Sequence, residues 1–340
     1  AVLLPAMSPR ADAVALDRAD PLQGFRERFA FAPGAPIYMD GNSLGRLPRA
    51  TLAALQHVVT QDWGGRLVEA WEGWIDLPQR VGARLAPLIG AAPDEVLLAD
   101  STSANLHRLA GAVLDASPGR RTLVTDRANF PTDRYVLAGL AAERGGELRL
   151  VEGDPVQGPG VEEVEAALDD GVALVCLSHA AYRSAALADL AAIAAAAHRH
   201  GALMLWDLSH SVGVVPIHLA RAGADLAVGC TYKYLNGGPG SPAFLFMRRD
   251  LQEVLRPPLW GWFGHADQFA FEEPFRPAPG IRRFLAGSPP ILGLTAAGVG
   301  IELVAEAGID AIRAKSVAVT EMMLEVYQAR LAPLGVGLGT

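Results

Sequence analysis

The feature that most constrains the fold of this chain is a repeated alternation of short apolar runs with longer stretches of helical periodicity. Strands that alternate with helices of about ten to fifteen residues indicate βαβ units, and runs that are apolar almost throughout are typical of strands covered on both faces. The sequence therefore predicts an α/β fold with a mostly parallel sheet flanked by helices. The predicted strands are PIYMD (36–40), EVLLA (95–99), TLVTD (122–126), LRLVE (148–152), VALVCLS (172–178), ALMLWD (202–207), DLAVGC (225–230) and AFLFM (243–247). The predicted helices lie near 49–61, 78–90, 103–115, 132–144, 161–169, 186–200 and 248–254.

The alternation stops after the last of these elements. Residues 255–290 are rich in Pro, Gly and aromatic residues, which predicts an ordered excursion across the large domain, because flexible linkers seldom carry so many aromatic side chains. Helical patterns follow at 291–306 and 308–331. We expect three parts, which are an N-terminal segment at the rim of the site (1–48), a large domain (49–300) and the start of a smaller C-terminal domain (301–340).

Composition and charge narrow the class of protein. A hydrophobic fraction of 51% with 19% charged residues fits a globular chain, and a net charge of −8 argues against a nucleic-acid surface or an anionic-membrane binder. No run reaches the roughly 18 apolar residues of a membrane span, and the opening AVLLPA lacks the basic region of a signal peptide. Cys176 and Cys230 lie in strand-like runs, so we expect buried thiols in a reducing, cytoplasmic compartment.

The use of lysine singles out one position. Among 29 basic residues only Lys233 and Lys315 are lysines, and Lys233 stands between two tyrosines ahead of a glycine-rich loop. Arginine would serve an ion pair equally well, because its guanidinium is always charged. A lysine amine, unlike arginine, can lose its proton and form a Schiff base with a carbonyl carbon. Lys233 is therefore a candidate nucleophile, and the alternative is a surface charge on a loop.

A carboxylate and an imidazole stand near this lysine in the predicted sheet. The run ALMLWD ends on Asp207, and His210 follows three residues later. In parallel sheets ligands bind at the carboxyl ends of the strands. A carboxylate there can keep a pyridinium nitrogen protonated, which is what makes pyridoxal phosphate an electron sink. The alternative is that Asp207 only caps a turn.

Further strand ends carry polar or aromatic side chains. DSTSAN (100–105) opens a helix with hydroxyls and free N–H groups that can bind an anion, although it also fits an ordinary N-cap. Phe130 and Asp133 follow the strand TLVTD, where the ring can stack on a flat ligand or belong to the core. Ser178 and His179 end VALVCLS, where a solvated polar loop would explain them equally well.

Seven segments together resemble the kynureninase family in order and spacing, between residues 38 and 291. The resemblance implies a fold type I enzyme that uses pyridoxal 5'-phosphate, with a mostly parallel seven-stranded sheet and a smaller α+β domain that is only partly present here. The matching segments are YMDGNSLGRLP (38–48), DSTSANLH (100–107), NFPTDRY (129–135), WDLSHSVGVVPIHL (206–219), GCTYKYLNGGPGSPAF (229–244), GWFGH (261–265) and FRPAPGIRRFLAGSPPI (275–291).

The resemblance also implies a reaction and its catalytic residues. The family hydrolyses the Cβ–Cγ bond of L-kynurenine or 3-hydroxykynurenine in tryptophan degradation, releasing anthranilate or 3-hydroxyanthranilate and L-alanine. Lys233 would bond covalently to the cofactor and move the substrate Cα proton. Tyr232 would touch the phosphate and take part in proton transfer, and Asp207 would pair with the ring nitrogen.

The remaining implied contacts involve the cofactor, the substrate and a second subunit. Thr102 and Ser103 would bind the phosphate, and Phe130 would stack on the ring. The resemblance implies a homodimer with shared sites and no metal. The other implied residues are Asp133, Ser178 and His210 around the ring, Trp262 and Ser288 reaching the neighbouring subunit's phosphate, and Asn42 and Ser43 beside the substrate.

Two departures from the family pattern stand out. In SHAAYRSAALADL (178–190) Ala181 replaces an Asn, and Ser184 and Ala185 replace a Thr-Gly pair. We expect substrate preference or loop geometry to differ there. The chain also contains no motif for the C-terminal arginine that binds the substrate carboxylate in this family, so we expect the smaller domain to be incomplete in this sequence.

Other functions are compatible with parts of the pattern. A pyridoxal phosphate desulfurase or aminotransferase shares the fold, but a desulfurase needs a reactive cysteine in a mobile loop. A catalytically silent relative could act as a binding protein, and it would be favoured by a lost lysine or aspartate, whereas both are present. A Rossmann dehydrogenase is disfavoured because no G-x-G-x-x-G follows an early strand.

Overall fold

Seven strands form one sheet in a computed structural model that describes residues 9–32, 34 and 36–338. The strand order is β1-β7-β6-β5-β4-β2-β3. Strands β2 to β6 run parallel to one another, whereas β7 is antiparallel to both β6 and β1. The prediction of a mostly parallel sheet is therefore confirmed. The strands are β1 (Val96–Leu98), β2 (Thr122–Asp126), β3 (Glu147–Val151), β4 (Val172–Ser178), β5 (Leu203–Asp207), β6 (Leu226–Gly229) and β7 (Phe244–Met247).

Helices cover both faces of this sheet. The α-helices are α1 (Pro9–Ala19), α2 (Arg49–His57), α3 (Trp71–Trp74), α4 (Leu77–Leu85), α5 (Thr102–Ala116), α6 (Pro131–Arg144), α7 (Val161–Ala166), α8 (Leu190–Arg199), α9 (Leu219–Ala222), α10 (Ile291–Ala307) and α11 (Ile309–Arg330).

Successive strand residues enter two separate apolar cores. Trp206 of β5 packs in the core that α4, α8 and α10 cover, whereas the preceding Leu205 packs in the core under α5 and α6. This follows from the period of two along a strand, which sends neighbouring side chains to opposite faces. Burial on both faces explains why the strand sequences are apolar almost throughout.

Each observed strand begins and ends within one residue of its predicted run, but one predicted strand is wrong. Residues 36–40 form no strand. Ile37 is 92% exposed and Met39 is 72% exposed, so no neighbouring element covers their apolar side chains. An apolar run becomes a strand only where a partner strand is available for its hydrogen bonds.

The helix predictions also need corrections. The pattern at 49–61 begins as α2 but continues as a π-helix, Val58–Arg66, and residues 248–254 contain only the 3₁₀ turn Arg249–Leu251. Helix α8 begins later than predicted because the Asp189 side chain accepts hydrogen bonds from the first N–H groups of the helix. The other 3₁₀ segments are Gln23–Arg28, Leu67–Ala70, Ala86–Ile89, Pro93–Glu95, Trp262–Gly264, Gly280–Phe284 and Ala332–Leu334.

The excursion at 255–290 is fixed to the core by buried aromatic residues. Phe263 and Phe284 are fully buried in the core under α5 and α6. Within the described residues no single helix is long and apolar enough to cross a membrane. Helices α10 and α11 together meet the length and composition of a span, with a bend of 76° between them. The opening segment AVLLPA lies outside the described residues.

Candidate active site

The loops that follow the parallel strands meet at one edge of the sheet. Ser178 at the end of β4 lies opposite Asp207 at the end of β5, so the register fixes the relative positions of the two loops that follow. A cavity of about 180 Å³ lies at this edge. Eight residues predicted for the site line it together, which are Thr102, Ser103, Phe130, Asp133, Asp207, His210, Tyr232 and Lys233.

Lys233 is the buried cation of this cavity. Its side chain lies on a loop that is closed by Thr231, whose hydroxyl donates to the carbonyl of Pro242 at 2.7 Å. The Nζ atom lies 2.8 Å from His210 Nε2 and 5.8 Å from the centre of the Phe130 ring. Burial and, second, the Lys233 charge lower the pKa of His210. The neutral imidazole can therefore accept a hydrogen bond from the lysine ammonium.

Two carboxyl groups also line the cavity. Asp207 is buried and its Oδ1 accepts a hydrogen bond from Ser209 N at 2.9 Å. Asp133 is buried in the first turn of α6, and burial together with the charge of Asp207 raises the pKa of Asp133 to about 9. Its Oδ2 has no hydrogen-bond partner among the described residues. The raised pKa favours the protonated form of Asp133, and its Oδ2 is left for a ligand.

The N-terminal turn of α5 closes the third side of the cavity. Ser101 caps the helix by accepting a hydrogen bond from Ala104 N at 3.3 Å. The hydroxyls of Thr102 and Ser103 line the cavity. The first N–H groups of a helix have no partner within it, and its dipole favours negative charge at this end. This turn can therefore bind an anionic group such as a phosphate.

The N-terminal segment touches the lysine loop through a glycine. Gly45 N donates to Tyr232 O at 2.9 Å, and a Cβ at Gly45 would lie 2.1 Å from Lys233 O. Only glycine fits this close approach. Asn42 and Ser43 are exposed on the preceding turn and line neither the 180 Å³ cavity nor the larger one that Gly45 shares with Lys233.

Ser178 lies beside the cavity and does not line it. Its hydroxyl donates to Asn129 Oδ1 at 2.7 Å, and the same oxygen accepts from Phe130 N at 2.7 Å. Asn129 was not predicted as a site residue, although it belongs to the segment NFPTDRY. It links the ends of β2 and β4 and holds the backbone of Phe130 in place.

Trp262 and Ser288 lie apart from Lys233 within the chain. Both are at least partly exposed, and Trp262 lines a separate cavity of about 670 Å³ together with His265 and Phe271. The structure therefore does not bring these two predicted residues to the lysine of the same chain.

The two cysteines do not offer a reactive thiol. Cys176 and Cys230 are both buried, and burial raises the pKa of each thiol. A nucleophilic cysteine needs a lowered pKa and access to solvent. This disfavours the desulfurase alternative. Among the residues that the structure describes, no group of three or more potential ligands is arranged to hold a metal ion.

Comparison with known proteins agrees with this geometry. The profile of the family Aminotransferase class-V matches residues 37–331. The chain is 46% identical to a kynureninase of Burkholderia mallei strain SAVP1, over 96% of this chain and 78% of the relative. It is 44% identical to a kynureninase of Pseudomonas fluorescens over the same shares. The apo cysteine desulfurase of Thermococcus onnurineus NA1 superposes with a TM-score of 0.76 at 19% identity, covering 93% of this chain and 76% of that one.

Proposed function

The chain belongs to the class-V aminotransferase family, and from this premise we propose a catalytic role for each residue of the cavity. Its identity of 44–46% to curated kynureninases extends over 96% of the chain, and its activity is the pyridoxal phosphate-dependent hydrolysis of kynurenine to anthranilate and L-alanine. The observation that carries the assignment of roles is the buried Lys233, which shares one cavity with Asp207 and the N-terminal turn of α5.

The residues of the cavity fit pyridoxal 5'-phosphate. The turn at Thr102 and Ser103 suits the phosphate, Phe130 offers an aromatic face, and Asp133 carries a buried oxygen without a partner. Asp207 would hold the proton on the ring nitrogen. When bound, the cofactor supplies an aldehyde that bonds to amines and a ring that accepts electron density.

Lys233 is the base of the proposed mechanism. Its amine takes the proton from the substrate Cα atom, a role that requires the amine to lose its own proton first. His210 Nε2 lies 2.8 Å from Nζ and is neutral because burial lowers its pKa. His210 can therefore orient the amine by accepting one hydrogen bond from it.

Tyr232 is the proposed proton donor to the substrate Cβ atom once the Cβ–Cγ bond is broken. Its ring lies 5.7 Å from Lys233 Nζ, and burial raises the pKa of the phenol. The hydroxyl therefore keeps its proton at neutral pH and can donate it to the three-carbon fragment that becomes L-alanine.

A homodimer with shared sites completes the proposal. Trp262 is 38% exposed beside Phe271, which is 78% exposed, and a second copy of the chain would cover these rings. Trp262 and Ser288 would then reach the neighbouring subunit's phosphate. Mixing inactive Lys233→Ala and Trp262→Ala protomers tests this, because a shared site predicts that activity returns in the mixed dimer. No recovery after subunit exchange would place Trp262 in its own subunit's site.

We also propose that the enzyme acts in the cytoplasm, where thiols stay reduced. Cys176 and Cys230 are free and buried, as expected for a reducing compartment. Thiol titration after rapid lysis measures how many cysteines are reduced in the cell. We expect two free thiols per chain.

The activity is tested with purified protein loaded with pyridoxal phosphate. L-kynurenine should yield fluorescent anthranilate, and 3-hydroxykynurenine measured alongside gives the substrate preference. L-cysteine serves as the control for the desulfurase alternative and should release no sulfide. Bound cofactor with sulfide but no anthranilate would contradict the proposal.

A further inference from the structure

A buried arginine lies directly behind the N-terminal turn of α5. Arg108 is 4% exposed, and its Nη1 lies 2.5 Å from Asp100 Oδ2. Asp100 precedes the turn and has a φ of 43°, a left-handed conformation that aspartate and asparagine adopt more readily than other residues with a side chain. The ion pair therefore joins a helix residue to the residue from which the turn begins.

The same guanidinium contacts a second segment of the site. Arg108 Nη1 lies 3.4 Å from the carbonyl of Phe284, which ends the 3₁₀ segment Gly280–Phe284. The chain runs from there to Ser288. One buried side chain thus touches both the turn that carries Thr102 and the segment that leads to Ser288.

A neighbouring residue shows that the turn is held from the helix side. Asn105 is fully buried, and its Nδ2 donates to the carbonyl of Ala99 at 2.7 Å. The Asp100 carbonyl accepts from Ala243 N at 2.9 Å. These bonds fix the backbone on either side of Asp100, whereas Arg108 is the contact that neutralises its charge.

That charge matters because Asp100 stands two residues before Thr102. A phosphate dianion bound at the turn would be repelled by an unpaired carboxylate so close in sequence. The ion pair between the buried Arg108 and the half-exposed Asp100 reduces this repulsion and orients the turn at the same time. Removing the cation alone would leave the carboxylate unpaired beside the bound phosphate and the turn without this side-chain contact.

We infer that Arg108 is a positioning residue for phosphate binding: it neutralises Asp100 and fixes the turn that carries Thr102 and Ser103. The inference rests on the proposed function in taking the cofactor phosphate as the anion. Arg108 is not among the residues that line the cavity, so its effect should be specific to ligands that carry the phosphate.

The test compares the affinity for pyridoxal phosphate with that for pyridoxal, which lacks the phosphate. Arg108→Met should weaken pyridoxal phosphate binding by about 10- to 100-fold, the range found when groups that orient the direct ligands of a bound ion are removed. Pyridoxal binding should change by less than about threefold, within the scatter of such contributions. A merely structural role would weaken both ligands equally, and that result would overturn the inference.

Two further variants separate charge from packing. Asp100→Asn tolerates a positive φ and removes the charge, so the double variant Asp100→Asn with Arg108→Met should bind pyridoxal phosphate more tightly than Arg108→Met alone. Arg108→Lys keeps the ion pair and should stay close to wild type. A double variant that binds no better than Arg108→Met would contradict the electrostatic part of the inference.

Folding of each variant is checked by circular dichroism and Tm. If Arg108→Met does not fold, Arg108→Gln is the substitute, because its amide can still donate to Asp100 without carrying a charge. Unchanged pyridoxal phosphate affinity in Arg108→Gln would overturn the inference. A wild-type protein that bound neither ligand would refute the proposed function, which is distinct from an equal loss of both ligands in the variants.

Discussion

The floor of the site and its rim hold their side chains in different ways. The floor consists of the residues that line the 180 Å³ cavity, and Lys233 and Asp207 there are buried and follow paired strands. The rim consists of residues 36–48 and 255–290, where Ile37, Met39 and Phe271 are mostly exposed. Strand register positions the floor within one chain. The exposed side chains of the rim depend on what packs against them, so we expect the floor to carry the chemistry and the rim to control the entry of substrate.

The two lysines give the largest expected contrast between the floor and a surface outside the site. Lys233→Arg keeps the charge on the floor but cannot form the bond to the cofactor, so kynurenine hydrolysis should fall by about 10⁴-fold or more. Lys315 pairs with Asp20 on the surface at 2.5 Å, and Lys315→Arg should leave the rate near wild type because exposed pairs contribute little. Anthranilate fluorescence measures both. Comparable rates in the two variants would show that Lys233 has no catalytic role on the floor.

A buried imidazole next to the floor predicts a pH effect on stability. His179 is 5% exposed and packs 6.4 Å from the Trp206 ring, and burial lowers its pKa to about 4. The unfolded chain keeps a pKa near 6.5, so it takes up the proton first as the pH falls. The free energy of unfolding should decrease from about pH 6.5 to pH 4, by a total of about 3 kcal/mol from this residue.

Comparison with His179→Phe isolates this contribution. The variant keeps an aromatic ring but loses the titrating group, while every other ionisable residue is shared by the two proteins. Denaturant titrations at several pH values should give a shallower loss of stability for the variant below about pH 6.5. Parallel curves for both proteins would show that His179 is not buried as a neutral group.

Gly45 is the position where the rim meets the floor. Gly45→Ala places a Cβ 2.1 Å from Lys233 O, so the lysine loop must shift, at a cost of about 1–3 kcal/mol as for other overpacked sites. Cofactor affinity should fall with stability. Gly41→Ala is the matched control because nothing lies within 4 Å of its Cβ. Equal cofactor binding by the two variants would mean that the segment is free to move away from the loop.

The smallest effect is expected in the loop that departs from the family pattern. Ala185 has a φ of 58°, and its N–H donates to Ala181 O at 2.8 Å. Ala185→Gly should raise Tm and stabilise the protein by about 1 kcal/mol, because glycine adopts this backbone conformation without strain. Ala186→Gly, at an ordinary φ, should instead destabilise it by about 0.4–1 kcal/mol. Stabilisation by both or by neither would argue against backbone strain at position 185.

The same contrast explains how far the sequence could predict the structure. Seven strands were predicted to within one residue because each is a short, mainly apolar run that finds at least one partner strand in the sheet. Lys233 and Asp207 were predicted because strand ends in a parallel sheet share one edge. The division of the chain at residues 48 and 300 stays a prediction.

The missed features depend on contacts between distant segments. Asn129 and Arg108 act through hydrogen bonds to the ends of other elements, and the approach of Gly45 to Lys233 O joins residues 188 positions apart in the chain. PIYMD (36–40) has the composition of a strand but no partner. None of these facts has a local signal, since each depends on which surfaces the tertiary fold brings together.

Chemical trapping of the cofactor tests the central claim most directly. The protein is incubated with pyridoxal phosphate, reduced with borohydride, digested and mapped by mass spectrometry. The buried nitrogen at position 233 should carry nearly all of the label, and Lys315, the other lysine of the chain, should carry almost none. Label found mainly on Lys315, or on neither lysine, would contradict the proposed cofactor site.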